Sequence, residues 1–479
     1  MNDGTSRAPQ HKGRARAARW PRAARGLLAL ALYAGCDSGS ATDSADLGGD
    51  AGSPDGGVAE LQPRLVSASA AGHDRLFGVA FEPQGRFYAT GVIADGTDAA
   101  ADFKMLVARF NAAGELDPTF GSGGYAIKNV AVGKGGELAR GIVVQSTGKV
   151  VISGTIEHAG AADERDRDVA LVRWNADGTL DTSFGSGGVV TLDLIAGEVS
   201  GSTYLADTTW GLAVQPDDRL IVHAAQKRAG GTDTDFALIR LQPDGARDVT
   251  FGTQGVCAVD INNRSASPRN VTLLPDGSII GSGYMSDGGV IKPVLYKVSG
   301  SGQLDTSFGN GGAFTQNVLT AATEAYSVVL QGTSLVTTGY GRNDASESLD
   351  WVSLRVSASG QLDPSYGSGG FVRIDVSGFS DNSRSLLALP DDRLLLLGGG
   401  RPTESNSDAM IAMLTANGQR DTTFSPNGYK LIDFGGSADF LWAGAVSPDK
   451  SRVALVGLKS SGTGIEDDDG VVLILPLAK

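Results

Sequence analysis

Apolar and polar positions alternate along most of this chain in short runs broken by Gly, Asp and Asn. One stretch shows the grammar: Gly141-Ile-Val-Val-Gln, Val150-Val-Ile-Ser-Gly, Asp168-Val-Ala-Leu-Val-Arg-Trp and Val189-Val-Thr-Leu-Asp-Leu. Runs this short, rich in β-branched residues, predict strands rather than helices. Ser146-Thr-Gly-Lys and Asn175-Ala-Asp-Gly read as the turns between them. Four antiparallel strands in a unit of this size match one blade of a propeller.

The unit repeats. Leu-Asp-Pro-Thr-Phe-Gly-Ser-Gly-Gly at 116–124 returns as Leu-Asp-Thr-Ser-Phe-Gly-Ser-Gly-Gly at 180–188 and, with changes, at 247–255, 304–312, 362–370 and 420–428. The motif aspartates are Asp117, Asp181, Asp248, Asp305, Asp363 and Asp421. A period of this length means stacked supersecondary units. The first three strands recur seven times, starting near Gly78, Gly141, Gly211, Asn270, Ser327, Ser385 and Ala443, but only six fourth strands follow a motif. Pro63-Arg-Leu-Val-Ser-Ala supplies an unclaimed strand. The expected architecture is therefore all-β: one seven-bladed propeller over 62–479, closed by the N-terminal strand completing the last blade. An open β-solenoid is the other arrangement such repeats allow.

The Arg/Asn-x-x-Gly-x-Leu-Asp-x-x-Phe-Gly-x-Gly-Gly stretches and the preceding strands Asp168 to Arg173 and Asp235 to Arg240 resemble the delta-60 repeat family of bacterial surface and secreted proteins. Arg247, Arg420, Tyr366 and Ser425 depart from the pattern. The resemblance implies fold and compartment and carries no biochemical activity. Six equal copies of the motif argue for architecture, since catalysis needs a unique constellation.

Formal net charge is −14, and no basic patch interrupts it, which argues against nucleic acid as a partner. Residues 1–35 read as a lipoprotein-like signal peptide: Arg14, Arg16, Arg19, Arg22 and Arg25, a short apolar core from Leu27 to Tyr33, then Ala34-Gly35-Cys36. Cys36 is the expected lipidation site, although Tyr33 stands where an aliphatic residue is usual. Residues 36–61 then form an acidic Gly/Ser/Asp tether. An exported, monomeric protein anchored by lipid in the cell envelope, at the outer membrane or cell surface, is the expectation, with plain secretion the alternative. Cys257 has no disulfide partner if Cys36 is lipidated, and its apolar surroundings suggest a buried thiol.

Candidate chemistry is sparse. His11, His73, His158 and His223 are scattered and lack zinc spacing. No nucleophile elbow or P-loop is present. Asp102, Asp168, Asp235, Asp350 and Asp408 precede the third strands, next to acidic loops such as Asp163-Glu-Arg-Asp-Arg-Asp and Glu466-Asp-Asp-Asp. They read as solvated acidic loops; no cofactor is implied, with calcium a minor reading. One column differs. Just before the expected first strands stand Phe77, Arg140, Trp210, Arg269, Tyr326, Arg384 and Trp442. First strands line a propeller's centre, so this alternation of aromatic and Arg could circle the channel and contact a sugar chain, an anionic glycan or a peptide carboxylate. The competing reading is packing between blades, with Arg stems over apolar surface. The sequence therefore favours a non-catalytic surface protein that binds or scaffolds a glycan or protein through its variable-loop face. The alternative is a propeller hydrolase or lyase acting on extracellular polysaccharide.

Overall fold

The computed structural model describes residues 61–69, 72–95, 101–131, 136–157, 167–194, 198–200, 203–205, 208–227, 233–460 and 468–477. The expected signal peptide, Cys36 and nearly all of the tether lie outside the described residues. Among those described, no helix is long and apolar enough to cross a membrane.

Each repeat forms a four-stranded antiparallel blade. Blade one is Gly72–Phe81, Phe87–Asp95, Phe103–Phe110 and Tyr125–Lys128; blade two is Leu138–Val144, Val150–Glu157, Arg167–Trp174 and Val189–Leu192. The innermost strands of blades three to six are Thr208–Val214, Ala266–Leu273, Ser327–Gln331 and Asn382–Ala388. Blade seven contributes Phe440–Val446, Arg452–Ser460 and Asp468–Pro476, and the N-terminal strand Arg64–Val66 becomes its fourth member. Arg64 pairs with Val472, Leu65 with Val471 and Val66 with Gly470, all antiparallel. The ring thus closes by joining the two chain ends, and the open solenoid is excluded.

The core is divided into seven apolar wedges, one at each blade junction. The wedge between blades seven and one joins Val66, Leu76 and Phe87 to Ala454, Val456 and Val472. Middle strands read as continuous apolar runs because neighbouring blades cover both their faces; Leu394, Leu395, Leu396 and Leu397 are all fully buried.

The recurring motif fastens one blade to the next. In blade two, Arg173 Nε donates to Asp181 Oδ2 at 2.8 Å, and Asp181 Oδ1 accepts from the Ser183 amide and hydroxyl. The same guanidinium lies 4.5 Å from the centre of the buried Phe184 ring and reaches the Pro243 carbonyl of blade three. The Gly185 amide adds a bond to Asp244 O at 2.9 Å. Arg240 with Asp248 and Phe251, and Arg355 with Asp363 and Tyr366, repeat the arrangement. Blade six has Met413 in place of the Arg, and Arg393, in the turn just before the strand Leu394–Thr403, reaches Asp421 at 3.1 Å.

The motif's departures follow from its shape. A Cβ on Gly124, whose φ is +104°, would meet Leu116 Cγ at 2.5 Å, so glycine is required there. A Cβ on Gly123 would meet nothing within 4 Å, and the third copy accordingly carries Gln254 at that place, with φ 52°. Arg247 replaces the motif Leu because its aliphatic stem fills the same spot against Gly255.

Candidate functional site

The aromatic–Arg column was expected just before the first strands. The structure corrects this: the innermost strands begin several residues earlier, and in six of the seven blades the column residue sits at a β-bulge within the strand. The register breaks between Leu76 and Gly78, Ala139 and Gly141, Thr209 and Gly211, Pro268 and Val271, Ser383 and Ser385, and Leu441 and Ala443. Only blade five, with Tyr326 just before Ser327–Gln331, matches the expectation. A bulge re-aims one side chain out of the alternation, here toward the axis.

Opposite the bulge the second strand carries glycine. A Cβ on Gly91 would lie 1.7 Å from Arg75 O, and one on Gly154 2.3 Å from Leu138 O. Gly283, Gly339, Gly398 and Gly457 are confined in the same way. Blade three has Ala224 at this place. These glycines were a readable signal of the bulges that sequence reasoning missed.

All seven column residues line one central cavity of about 180 Å³, and none of its lining residues is acidic. Arg140 Cζ lies 3.2 Å from the Trp210 ring centre. Arg269 packs on Trp210 at 4.4 Å, Tyr326 at 4.6 Å and Tyr284 at 4.7 Å. Arg384 packs on Tyr326 at 4.3 Å and Trp442 at 5.1 Å. Phe77 meets Trp442 edge-on at 5.0 Å. The packing reading is therefore correct as far as it goes: the rings and stems cover one another.

The polar atoms are not accounted for by that packing. Arg140 Nε, Arg269 Nε, Arg384 Nε and Trp442 Nε1 are buried with no acceptor. Glu324 is the carboxylate that approaches the cluster, at 3.9 Å from Arg269 Nη2. Burial lowers the Arg140 guanidinium to about 9, opposed by Tyr326 and reinforced by the charges of Arg269 and Arg384. It remains protonated at neutral pH. Burial acts the same way on Arg269, but Tyr326, Tyr284 and Glu324 outweigh it and raise the group. Burial also raises the Glu324 carboxyl against the pull of Arg269 and Arg384. Among the described residues, three guanidiniums of the cluster thus have one carboxylate in ion-pair range, in a site withdrawn from water, a charge imbalance that an anion would relieve.

Residues 145–184, 215–251 and 274–308 match the family model described as a domain of unknown function (DUF5122) beta-propeller. Those three segments are similar to DUF5122 β-propeller repeats. No curated protein matches it significantly. Among solved structures, a protein of unknown function from Dyadobacter fermentans aligns with 88% of this chain and 100% of its own, at 12% identity and TM-score 0.45. The polysaccharide lyase Uly1 aligns over 84% and 90%, at 9% identity and TM-score 0.47. The β-propeller domain of the Trilobed protease from Pyrococcus furiosus aligns over 84% and 96%, at 8% identity and TM-score 0.40.

The remaining candidates fall elsewhere in the propeller. His73 Nδ1 is 3.0 Å from Asp468 Oδ2 and its ring stacks on Phe103. His223 is fully buried against Phe236 and Tyr296. His11 and His158 lie outside the described residues, as do most of the acidic loops at 163–168 and 466–469. Cys257 is buried, which pushes its thiol up to about 11. Among the described residues two carboxylate groups bring ligand atoms within 4.8 Å of one another, Asp233 with Asp235 and Asp260, and Asp350 with Asp375 and Asp381. Of the variable loops, 197–209 contains the hairpin Glu198–Ser200 with Thr203–Leu205.

Proposed function

We propose that this propeller is a non-catalytic binding module of the cell envelope, lipid-anchored through Cys36, whose axial cluster receives an anionic group of a surface glycan or protein. One observation carries the reading: four buried N–H donors without acceptors, three of them on guanidiniums, converge on a cavity with no acidic lining residue. A cavity of about 180 Å³ is smaller than the roughly 300 Å³ at which drug-sized ligand pockets begin. It suits a carboxylate or sulfate group better than a sugar ring. The rest of the ligand would then lie on the variable loops, where a rigid scaffold usually carries its binding residues. The delta-60 resemblance and the leader ending at Cys36 support the envelope assignment. Hydrolysis by a carboxylate pair has less support, because among the described residues Glu324 is the one carboxylate in ion-pair range of the cluster.

The test is a glycan array probed with the purified chain, beside a variant with Arg140, Arg269 and Arg384 changed to Ala. Selective binding of carboxylated or sulfated glycans, lost in a variant whose circular dichroism is unchanged, is the expected result. Binding confined to neutral sugars, or binding that survives the triple substitution, would refute the assigned site. No glycan binding would leave a protein carboxylate as the ligand class, to be tested with C-terminal peptides.

A further inference from the structure

Two blade junctions share a second arrangement, away from the axial cavity. It combines a residue at the start of the third strand, one just beyond the fourth strand, and one three positions before the column residue of the next blade. Between blades five and six these are Asp350, Asp375 and Asp381, with ligand atoms within 4.8 Å of one another. There Arg373 Nε donates to Asp350 Oδ2 and supplies positive charge. Asp381 spends both oxygens on amides, of Val376 at 2.8 Å and Arg401 at 2.7 Å.

Between blades one and two the same places hold Asp102, Asn129 and Glu137, and among the described residues no Lys, Arg or His forms an ion pair with either carboxylate. Each side chain commits one polar atom and leaves an oxygen over. Asn129 Nδ2 donates to Asp102 Oδ2 at 2.7 Å, and Glu137 Oε1 accepts from the amides of Val130 at 2.7 Å and Ala131 at 2.5 Å. Asp102 Oδ1, Asn129 Oδ1 and Glu137 Oε2 are buried without any donor. Glu137 as a whole is 3% exposed.

Oxygen ligands from three separate segments, two of them carboxylates, with no nitrogen or sulfur donor, are the set a hard divalent cation takes. We propose that the junction of blades one and two binds a calcium ion through Asp102 Oδ1, Asn129 Oδ1 and Glu137 Oε2. The ion takes, at this junction, the place that the Arg373 guanidinium takes beside Asp350 between blades five and six. Calcium is favoured over magnesium because magnesium demands near-ideal octahedral geometry and gives up its water reluctantly.

The experiment is equilibrium dialysis of the full-length chain against radioactive calcium after chelator treatment, with thermal unfolding in parallel. Expected are retained calcium and a melting temperature several degrees higher in 1 mM calcium than in 1 mM magnesium. Glu137→Gln keeps an oxygen for the two amides and should lose about one equivalent of calcium, or at least tenfold in affinity, with unchanged circular dichroism. Asn129→Ala should weaken binding in the same direction. Wild-type protein that retains no calcium, a Glu137→Gln variant that retains as much as wild type, or an equal response to magnesium would each overturn the assignment.

Discussion

The guanidinium carbon of Arg140 lies 3.2 Å from the centre of the Trp210 ring, although the two residues belong to different blades. The contact exists because each residue occupies a β-bulge that turns its side chain toward the axis. Stacking orients the guanidinium and shields it from water, yet leaves Nε without an acceptor. The central cluster is thus assembled from residues that are far apart in sequence and individually unremarkable.

Removing the Trp210 ring should loosen Arg140 without breaking a blade. Trp210→Ala is expected to weaken binding of an anionic ligand about tenfold, in line with about 1–2 kcal/mol for a desolvated cation–π contact. Titration calorimetry with the best array ligand measures this. Undiminished affinity would mean that the stack is packing alone.

The fastening between blades should be costly to break where it is dry. Asp181 and Arg173 are 8% and 6% exposed, whereas Asp363 and Arg355 are 24% and 14% exposed. Asp181→Ala leaves Arg173 and Lys149 without their carboxylate and should cost about 3–5 kcal/mol in urea unfolding. Asp363→Ala should cost less. The opposite order would contradict the burial argument.

Acid should act on the same fastening. Burial alone would raise the Asp248 carboxyl, but the Thr250 hydroxyl and amide, Arg240 and Arg219 outweigh it and hold the group at about 2. Its folded value lies below the ordinary 3.8, so the unfolded chain binds the proton first as pH falls. The contribution, about 2 kcal/mol, is complete above pH 5 and lost as pH drops from about 4 to 2. Asp248→Asn should flatten the stability profile over that window, as read from unfolding midpoints between pH 2 and 6.

His223 gives a second acid-sensitive term at higher pH. Burial pushes the imidazole down to about 3, while its Nδ1 lies 3.0 Å from the Asn270 carbonyl oxygen. Protons bind the unfolded chain first below about pH 6.5, so stability falls as pH drops from there toward 3. Unfolding midpoints for His223→Gln should lack that slope between pH 6.5 and 4, where Asp248 contributes little. An unchanged slope would show that other groups set it.

The glycines facing the bulges should tolerate no side chain. Gly154→Ala would place a Cβ 2.3 Å from Leu138 O and is expected to cost about 1–3 kcal/mol through overpacking. Ala224→Gly, at the matching place in blade three, creates no such clash and should cost less. Thermal midpoints of the two variants decide the point.

Strands, turns, the repeat, the blade count and the closing strand were all legible in the sequence, because they depend on local alternation, Gly and Asn/Asp turns, and internal comparison. Arg64-Leu-Val could be assigned to blade seven by elimination, since it was the strand left over and blade seven lacked a fourth member. The column from Phe77 to Trp442 was legible as an alternation, but its bulges were not. A bulge is a mismatch between two strands, and only the pairing of Ala139 with Gly154 and Gly141 with Ser153 reveals that Arg140 is the extra residue. The unpaired donors of Arg140, Arg269 and Arg384, and the unpaired oxygens of Asp102, Asn129 and Glu137, were likewise decided by the tertiary structure. Whether a buried polar atom finds a partner depends on what other blades bring to it, and a chain read in one dimension does not contain that distance.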